Sequence, residues 1–163
     1  MKIQKILMAV DDSKYADNAA AYGFELANFY NAQVGLVNIV EPIIAPATDP
    51  GLITGSTFDS GMGTDPEFIK VQQEASENII QRITKTYAGD LQVTNFTQYG
   101  STAEGIVDCS NEFNADLVVI GTHNRTGIDR LLMGSVAEHV VRHSKVPVLV
   151  VPFSESESPH KSA

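Results

Sequence analysis

The sequence predicts an α/β protein with a single doubly wound domain, in which helices cover both faces of a five-stranded parallel sheet. Short apolar segments alternate with longer amphipathic segments along most of the chain, an order typical of parallel strands joined by helical crossovers. The chain has 163 residues, of which 43% are hydrophobic, so it can bury one substantial core. We therefore expect one Rossmann-like domain over residues 1–152.

The first part of the chain contains two predicted strands with a helix between them. The apolar segments at 3–10 and 32–40 are predicted to be buried strands. Between them, residues 13–30 carry small and apolar side chains at helical spacing, which predicts a helix with one packed face. The residues of that face are Ala16, Ala19, Ala20, Gly23, Ala27 and Tyr30. Ser13 is suited to be the N-cap of this helix.

A segment without periodicity follows the second strand. Pro, Gly, Ser and Thr dominate residues 42–65, so we expect a long mobile loop there. Helical periodicity returns at 66–87, where Pro66 fits the first turn.

The second half of the chain repeats the alternation. Residues 91–99 predict a third strand and 101–114 a third helix, at whose start Ser101 and Glu104 have the spacing of a capping box. The remaining elements are a strand at 116–121, a helix at 134–144 and a strand at 146–152. The polar residues 153–163 predict a disordered tail.

Composition limits the classes of function. The net charge of −9, without a cluster of Lys and Arg, argues against nucleic-acid binding. No apolar run is long enough to span a bilayer, and the first ten residues suit a strand better than a signal peptide, so we expect no membrane association. The single cysteine, Cys109, rules out an internal disulfide and favours the cytoplasm.

The segment from Gly121 to Ser135 is a candidate phosphate site. It connects the fourth strand to the fourth helix, and its glycines allow backbone N–H groups to approach an anion at a helix N-terminus. Ser135 adds a hydroxyl and Arg125 a positive charge. The alternative is that these glycines serve only backbone geometry. Since doubly wound sheets bind ligands where strand order reverses, we expect residues 9–13 to face the same cleft.

Two motifs resemble the ATP-binding branch of the universal stress protein family. Gly121 is followed after two residues by Asn124, and after nine more by Gly134 and Ser135, which is the spacing of the family's C-terminal signature. The sequence "MAVDDS" at 8–13 resembles its N-terminal pattern. Asn124 replaces a family glycine, and Asn is the residue other than glycine that most readily adopts a left-handed backbone. The resemblance covers about 3–152.

The resemblance implies an adenine nucleotide alpha hydrolase-like fold and a site for ATP or ADP, with any Mg²⁺ held beside Ser135 and no metal site made by the protein alone. Asp11 would accept a hydrogen bond from the ribose or base, and the backbone of Ile39 or Val40 would contact the adenine. We expect His123 to lie in the loop. The implied nucleotide-binding residues are Ala9, Val10, Asp11, Ser13, Ile39, Val40, Gly121, Thr122, His123, Asn124, Arg125, Gly134, Ser135 and Val136.

Other functional classes fit less well. A phosphorelay receiver domain needs an Asp after the third strand and a Lys after the fifth, but these ends read "TQYGS" and "LVVPF". His139 and His143 have a zinc-binding spacing on one helix, yet no third ligand is evident, and we favour packing for both. Cys109 is expected to be an inert packed residue.

Together these features predict a regulatory protein that switches with bound nucleotide. The strand at 146–152 is bounded by Pro147 and Pro152, which fits a sheet edge, and the resemblance implies a homodimer through it. The downstream partner is not encoded in any motif. The alternative is a family member that has lost nucleotide binding and acts only as a dimeric interaction module. No suitably placed general base is evident, so we expect at most slow ATP hydrolysis.

Overall fold

The computed structural model describes residues 2–41, 66–123 and 134–153, which form alternating strands and helices in the predicted order. The strands are β1 (Lys5–Ala9), β2 (Gln33–Val40), β3 (Val93–Tyr99), β4 (Leu117–His123) and β5 (Val148–Phe153). The helices are α1 (Lys14–Tyr30), α2 (Pro66–Tyr87), α3 (Thr102–Phe113) and α4 (Ser135–His143).

The five strands form one parallel sheet in the order β3-β2-β1-β4-β5. Strand order reverses at β1, which pairs with β2 on one side and with β4 on the other. This topology confirms the predicted doubly wound α/β fold and places the reversal between the first and fourth strands. β5 lies at an edge of the sheet, as the flanking prolines indicated.

Each face of the sheet carries its own core. Ile6 and Met8 of β1 pack on the face covered by α1 and α2, together with Phe24 and Ile80. Leu7, between them, points to the opposite face and packs with residues of α3 and α4. Successive side chains of a strand alternate between faces, so a strand buried on both sides is apolar throughout. This explains why the central strands β1 and β4 appear in the sequence as apolar runs, whereas the edge strand β3 alternates with polar residues.

Several details differ from the sequence prediction. β4 continues to His123 rather than ending at Gly121, because β5 extends to Phe153 and supplies a pairing partner for each added residue. His123 is therefore the last residue of a strand and does not lie in a loop. Tyr30 is not part of the packed face of α1, being 40% exposed at the helix end, and Phe24 is buried instead.

Some predictions fall on residues outside those described, namely the loop at 42–65, the site residues Asn124 and Arg125, and the tail from residue 154 onward. Among the helices of the described ranges, none combines the length and the apolar character that crossing a membrane requires.

Candidate functional site

A cavity of about 380 Å³ opens at the carboxyl ends of β1, β2 and β4, where strand order reverses. Eight predicted site residues line it: Ala9, Val10, Asp11, Ser13, Ile39, Gly121, Thr122 and Val136. The other lining residues among those described are Tyr15, Ala16, Val37, Asn38, Glu41, Thr102, Ile106 and Ile120. Residues distant in sequence are thus brought together by the parallel topology, since all strands end on the same side.

Val10, which follows β1 and forms part of the cavity wall, is joined to β2 by two hydrogen bonds. Its N–H donates to the carbonyl of Val37 at 2.9 Å, and its carbonyl accepts from the Asn38 side-chain amide at 2.8 Å. Asn38 is only 6% exposed, so its amide is a buried polar group with a partner. Asn38 was not among the predicted site residues, although a lone asparagine inside an apolar strand can be detected in the sequence.

The turn between β1 and α1 is organised by two side chains. Asp11 accepts from the backbone N–H of Ser13 through Oδ1 at 2.8 Å, which fixes its carboxylate at the cavity wall. Ser13 Oγ accepts from the N–H of Ala16 at 3.2 Å, which confirms Ser13 as the N-cap of α1. Asp12 is predominantly solvent-exposed and lies 3.5 Å from the Arg82 guanidinium of α2.

The backbone groups of Ile39 and Val40, at the end of β2, point in opposite directions. The Val40 carbonyl accepts from the N–H of Gly100 and so is directed toward β3. Backbone groups alternate in direction along a strand, so those of Ile39 point toward the side of β1. The β1 register ends at the pair Ala9 and Val37, so Ile39 lies beyond it at the open end of the strand. Ile39 lines the cavity, and the geometry therefore favours Ile39 over Val40 as a contact for a ligand bound there.

Gly121 has a packing role that the sequence analysis did not anticipate. A β-carbon at this position would lie 2.7 Å from the carbonyl carbon of Tyr15 and closer still to its oxygen. The missing side chain therefore lets the first turn of α1 approach β4. Its backbone remains part of the cavity lining, so close packing and ligand access coincide at this residue.

Gly134 and Ser135 lie at the exposed N-terminus of α4, next to the cavity but outside its lining. Gly134 is the N-cap, and as a glycine it supplies no side-chain hydrogen bond to the helix. A β-carbon on Gly134 would come within 3.5 Å of Thr122 Oγ1, which places the helix start beside a lining residue. The first N–H groups of a helix have no intrahelical acceptors, so this end is suited to an anion.

Glu41 and Thr102 form a second polar wall that sequence reasoning missed. Glu41 Oε1 accepts from the Thr102 hydroxyl at 2.5 Å and from its backbone N–H at 3.3 Å. Glu41 thus supplies the capping interaction for α3, whereas Ser101 makes no side-chain cap hydrogen bond. The predicted capping box is wrong, because Ser101 makes no such bond and the hydrogen bonds at the start of α3 come instead from Glu41, the residue after β2. No local motif marks a contact between residues 61 positions apart.

Charge is distributed unevenly around the cavity, because two carboxylates lie in its lining. Asp11 and Glu41 are acidic, and the described part of the lining contains no Lys or Arg. This wall therefore suits neutral hydrogen-bond donors, while the N-terminus of α4, beside Thr122, suits negative charge.

The histidine and cysteine candidates lie away from this site. The rings of His139 and His143 stack at 4.0 Å, and within the described ranges no group of three His, Cys, Asp or Glu side chains could hold a metal ion. Cys109 is fully buried in α3. Burial, with a smaller contribution from Glu112, raises the pKa of its thiol to about 12. A thiol that stays protonated is a poor nucleophile, consistent with a packed residue.

The sequence profile of the universal stress protein family matches residues 2–152. A universal stress protein of Methanocaldococcus jannaschii is 26% identical over 154 residues, which cover 94% of this chain and 85% of that protein. Solved structures that share the fold include two complexes with nucleotides. A universal stress protein in complex with cAMP has a TM-score of 0.64 at 22% identity, covering 94% of this chain and 100% of its own.

The second, the universal stress protein from Archaeoglobus fulgidus in complex with dAMP, has a TM-score of 0.59 at 22% identity and covers 93% of this chain and 99% of its own. The profile match extends from β1 to β5 and thus includes every strand that contributes to the cavity. The chain therefore belongs to the universal stress protein family.

Proposed function

We propose that this protein binds an adenine nucleotide, ATP or ADP, in the cavity at the strand reversal and acts as a nucleotide-dependent regulatory switch in the cytoplasm. The observation that carries the proposal is the convergence of eight predicted site residues on one cavity. Complexes of two family members with cAMP and dAMP support an adenine ligand.

The polarity of the cavity supports one orientation of the nucleotide. The base would lie against Ile39, Ile106 and the backbone at the end of β2, and the ribose hydroxyls would donate to Asp11. The phosphates would lie at the N-terminus of α4, near Gly134 and Ser135, where N–H groups without intrahelical acceptors and the helix dipole favour negative charge. A Mg²⁺ ion bound with the phosphates would lie beside Ser135.

The substitution of a family glycine by Asn124 is compatible with this proposal. The described residues include two asparagines with a left-handed backbone, Asn31 at φ 51° and Asn114 at φ 54°, each at a helix C-cap. Asn is tolerated in this conformation at modest cost. We therefore expect Asn124 to change the affinity for nucleotide rather than abolish it.

Regulation requires that the bound and free states differ for a partner. We propose that the protein is a homodimer through β5 and that the segment 42–65, which follows Glu41 of the cavity wall, transmits the nucleotide state to a partner protein. Slow hydrolysis of ATP is the most catalysis we propose, because the described cavity presents no evident base arranged to activate water.

The direct test is the release of bound nucleotide from the purified protein. Denaturation followed by mass spectrometry of the supernatant should detect ATP or ADP. If the protein is purified empty, calorimetric titration with MgATP should show binding.

The substitution Gly134→Val tests where the phosphates bind. It should weaken the affinity for MgATP at least about tenfold, or ~1.4 kcal/mol, by obstructing the N-terminus of α4. Circular dichroism should show an unchanged fold, since the β-carbon itself has room.

A second candidate is an interaction module that binds no nucleotide. The observation that favours it is the packing role of Gly121, because a glycine needed by α1 would persist without any ligand. An empty protein that gives no heat with MgATP would support this candidate. Binding that survives Gly134→Val would instead show that the phosphates lie elsewhere.

A further inference from the structure

Glu41 occupies a position in the cavity that the proposed nucleotide orientation leaves without a role. It follows β2 directly, two residues after Ile39, and lines the cavity together with Thr102 of α3. The neighbouring lining side chains Val37, Ile39 and Ile106 are apolar. An apolar slot with a carboxylate at its rim suits a flat aromatic ring that carries a hydrogen-bond donor on its edge.

The Glu41 carboxylate is held in place. Both of its hydrogen bonds, from the Thr102 hydroxyl and from the Thr102 N–H, end on Oε1. The second carboxylate oxygen, Oε2, takes no part in these two hydrogen bonds and can accept from a ligand. An acceptor that is already oriented loses little rotational freedom on binding, and a charged acceptor makes a stronger hydrogen bond than a neutral one.

A fixed carboxylate discriminates between purines by the group at position 6. Adenine carries an exocyclic amine there, which donates, whereas hypoxanthine and guanine carry a carbonyl oxygen, which cannot donate and is repelled by the carboxylate. A ligand without the amine loses this hydrogen bond and brings its carbonyl oxygen against the carboxylate, so it should bind more weakly. Asp11, which follows the neighbouring strand β1, remains available for the ribose.

We propose that Glu41, oriented by Thr102, determines base specificity by accepting a hydrogen bond from the exocyclic amine of a 6-aminopurine. This inference rests on the proposed nucleotide-binding function and adds the residue that selects the base. Thr102 is a positioning residue, since it acts on the ligand through Glu41.

The test compares the affinities for ATP and ITP, which carry an amine and a carbonyl at position 6. The wild-type protein should prefer ATP by at least about tenfold. Glu41→Gln, whose amide can donate to the ITP carbonyl, should reduce the ATP/ITP ratio about tenfold, and Thr102→Val should reduce it less. Because both nucleotides are measured on the same variant, the ratio does not depend on how much of that variant is folded.

Glu104→Gln is the matched control, because it removes one acidic charge from the first turn of α3 at an exposed position outside the cavity. Its ATP/ITP ratio should equal that of the wild type. If Glu41→Gln keeps the wild-type ratio while ATP still binds, the base-selecting role is wrong and the proposed function stands. If the wild type binds neither nucleotide, both proposals are wrong.

Discussion

Gly121 shows how one residue can satisfy a packing requirement and a ligand requirement together. Its sequence position suggests a phosphate-binding glycine, but the space above its Cα is filled by the backbone of α1 at Tyr15. A flexible side chain can move away from an added methyl group, whereas the backbone of a packed helix cannot do so cheaply. The glycine is therefore needed for the helix to lie against the sheet even in the empty protein.

We expect Gly121→Ala to lower the free energy of unfolding by about 1–3 kcal/mol, because the added β-carbon overlaps the Tyr15 carbonyl. Gly134→Ala is the matched control. Its β-carbon would make an ordinary contact with Thr122, and an alanine N-cap in place of glycine should cost less than about 1 kcal/mol. Urea unfolding followed by circular dichroism measures both. Equal losses for the two variants would contradict the close approach at Gly121.

At the scale of single elements, the starts of the helices differ in how they are capped. α1 begins with its own Ser13, whose hydroxyl accepts from the N–H of Ala16, while α3 begins at Ser101 without such a bond and is capped by Glu41. Both serines match the sequence preference for N-caps. The contact between Glu41 and Thr102 joins residues 61 positions apart, so the local sequence does not reveal it.

This difference predicts unequal effects of the same substitution. Ser13→Ala should cost about 0.5–2 kcal/mol of stability, because the Ala16 N–H loses its acceptor. Ser101→Ala should cost less than about 0.5 kcal/mol, since no cap hydrogen bond is lost. Thermal and urea unfolding of the two variants, with the wild type alongside, measure the difference. A cost for Ser101→Ala as large as that for Ser13→Ala would show that the α3 cap is assigned to the wrong residue.

The elements and their order follow from local patterns, and the sequence therefore predicts them well. Apolar strands, helical spacing and turn residues are all encoded within a few neighbours, and the doubly wound order follows from their alternation. Asn38, Glu41 and Thr102 could not be placed in the same way. Their roles depend on hydrogen bonds to residues 28 and 61 positions away, which no short motif records. The extra residues of β4 likewise required the register with β5.

At the scale of the whole molecule, the sheet has two edges, and the proposed dimer uses one of them. The Pro147 carbonyl accepts from Val118, so alternation directs the backbone groups of Val148, Val150 and Pro152 to the open edge of β5. Pro152 has no N–H to offer there, which leaves Val148 and Val150 as the donors. A strand edge with unpaired donors and acceptors is a template for pairing with a second copy.

Val150→Pro should weaken the dimer at least about tenfold, because it removes one outward N–H at an edge position where proline is tolerated. Asn95→Pro is the matched control on the opposite edge. The Gln92 carbonyl accepts from Val34, so alternation directs the Asn95 N–H away from the sheet as well. Equilibrium sedimentation across the micromolar range should show weakened association for Val150→Pro alone, with circular dichroism confirming that both variants fold. A wild-type protein that sediments as a monomer at these concentrations would rule out the dimer, and equal weakening by both prolines would place the interface away from β5.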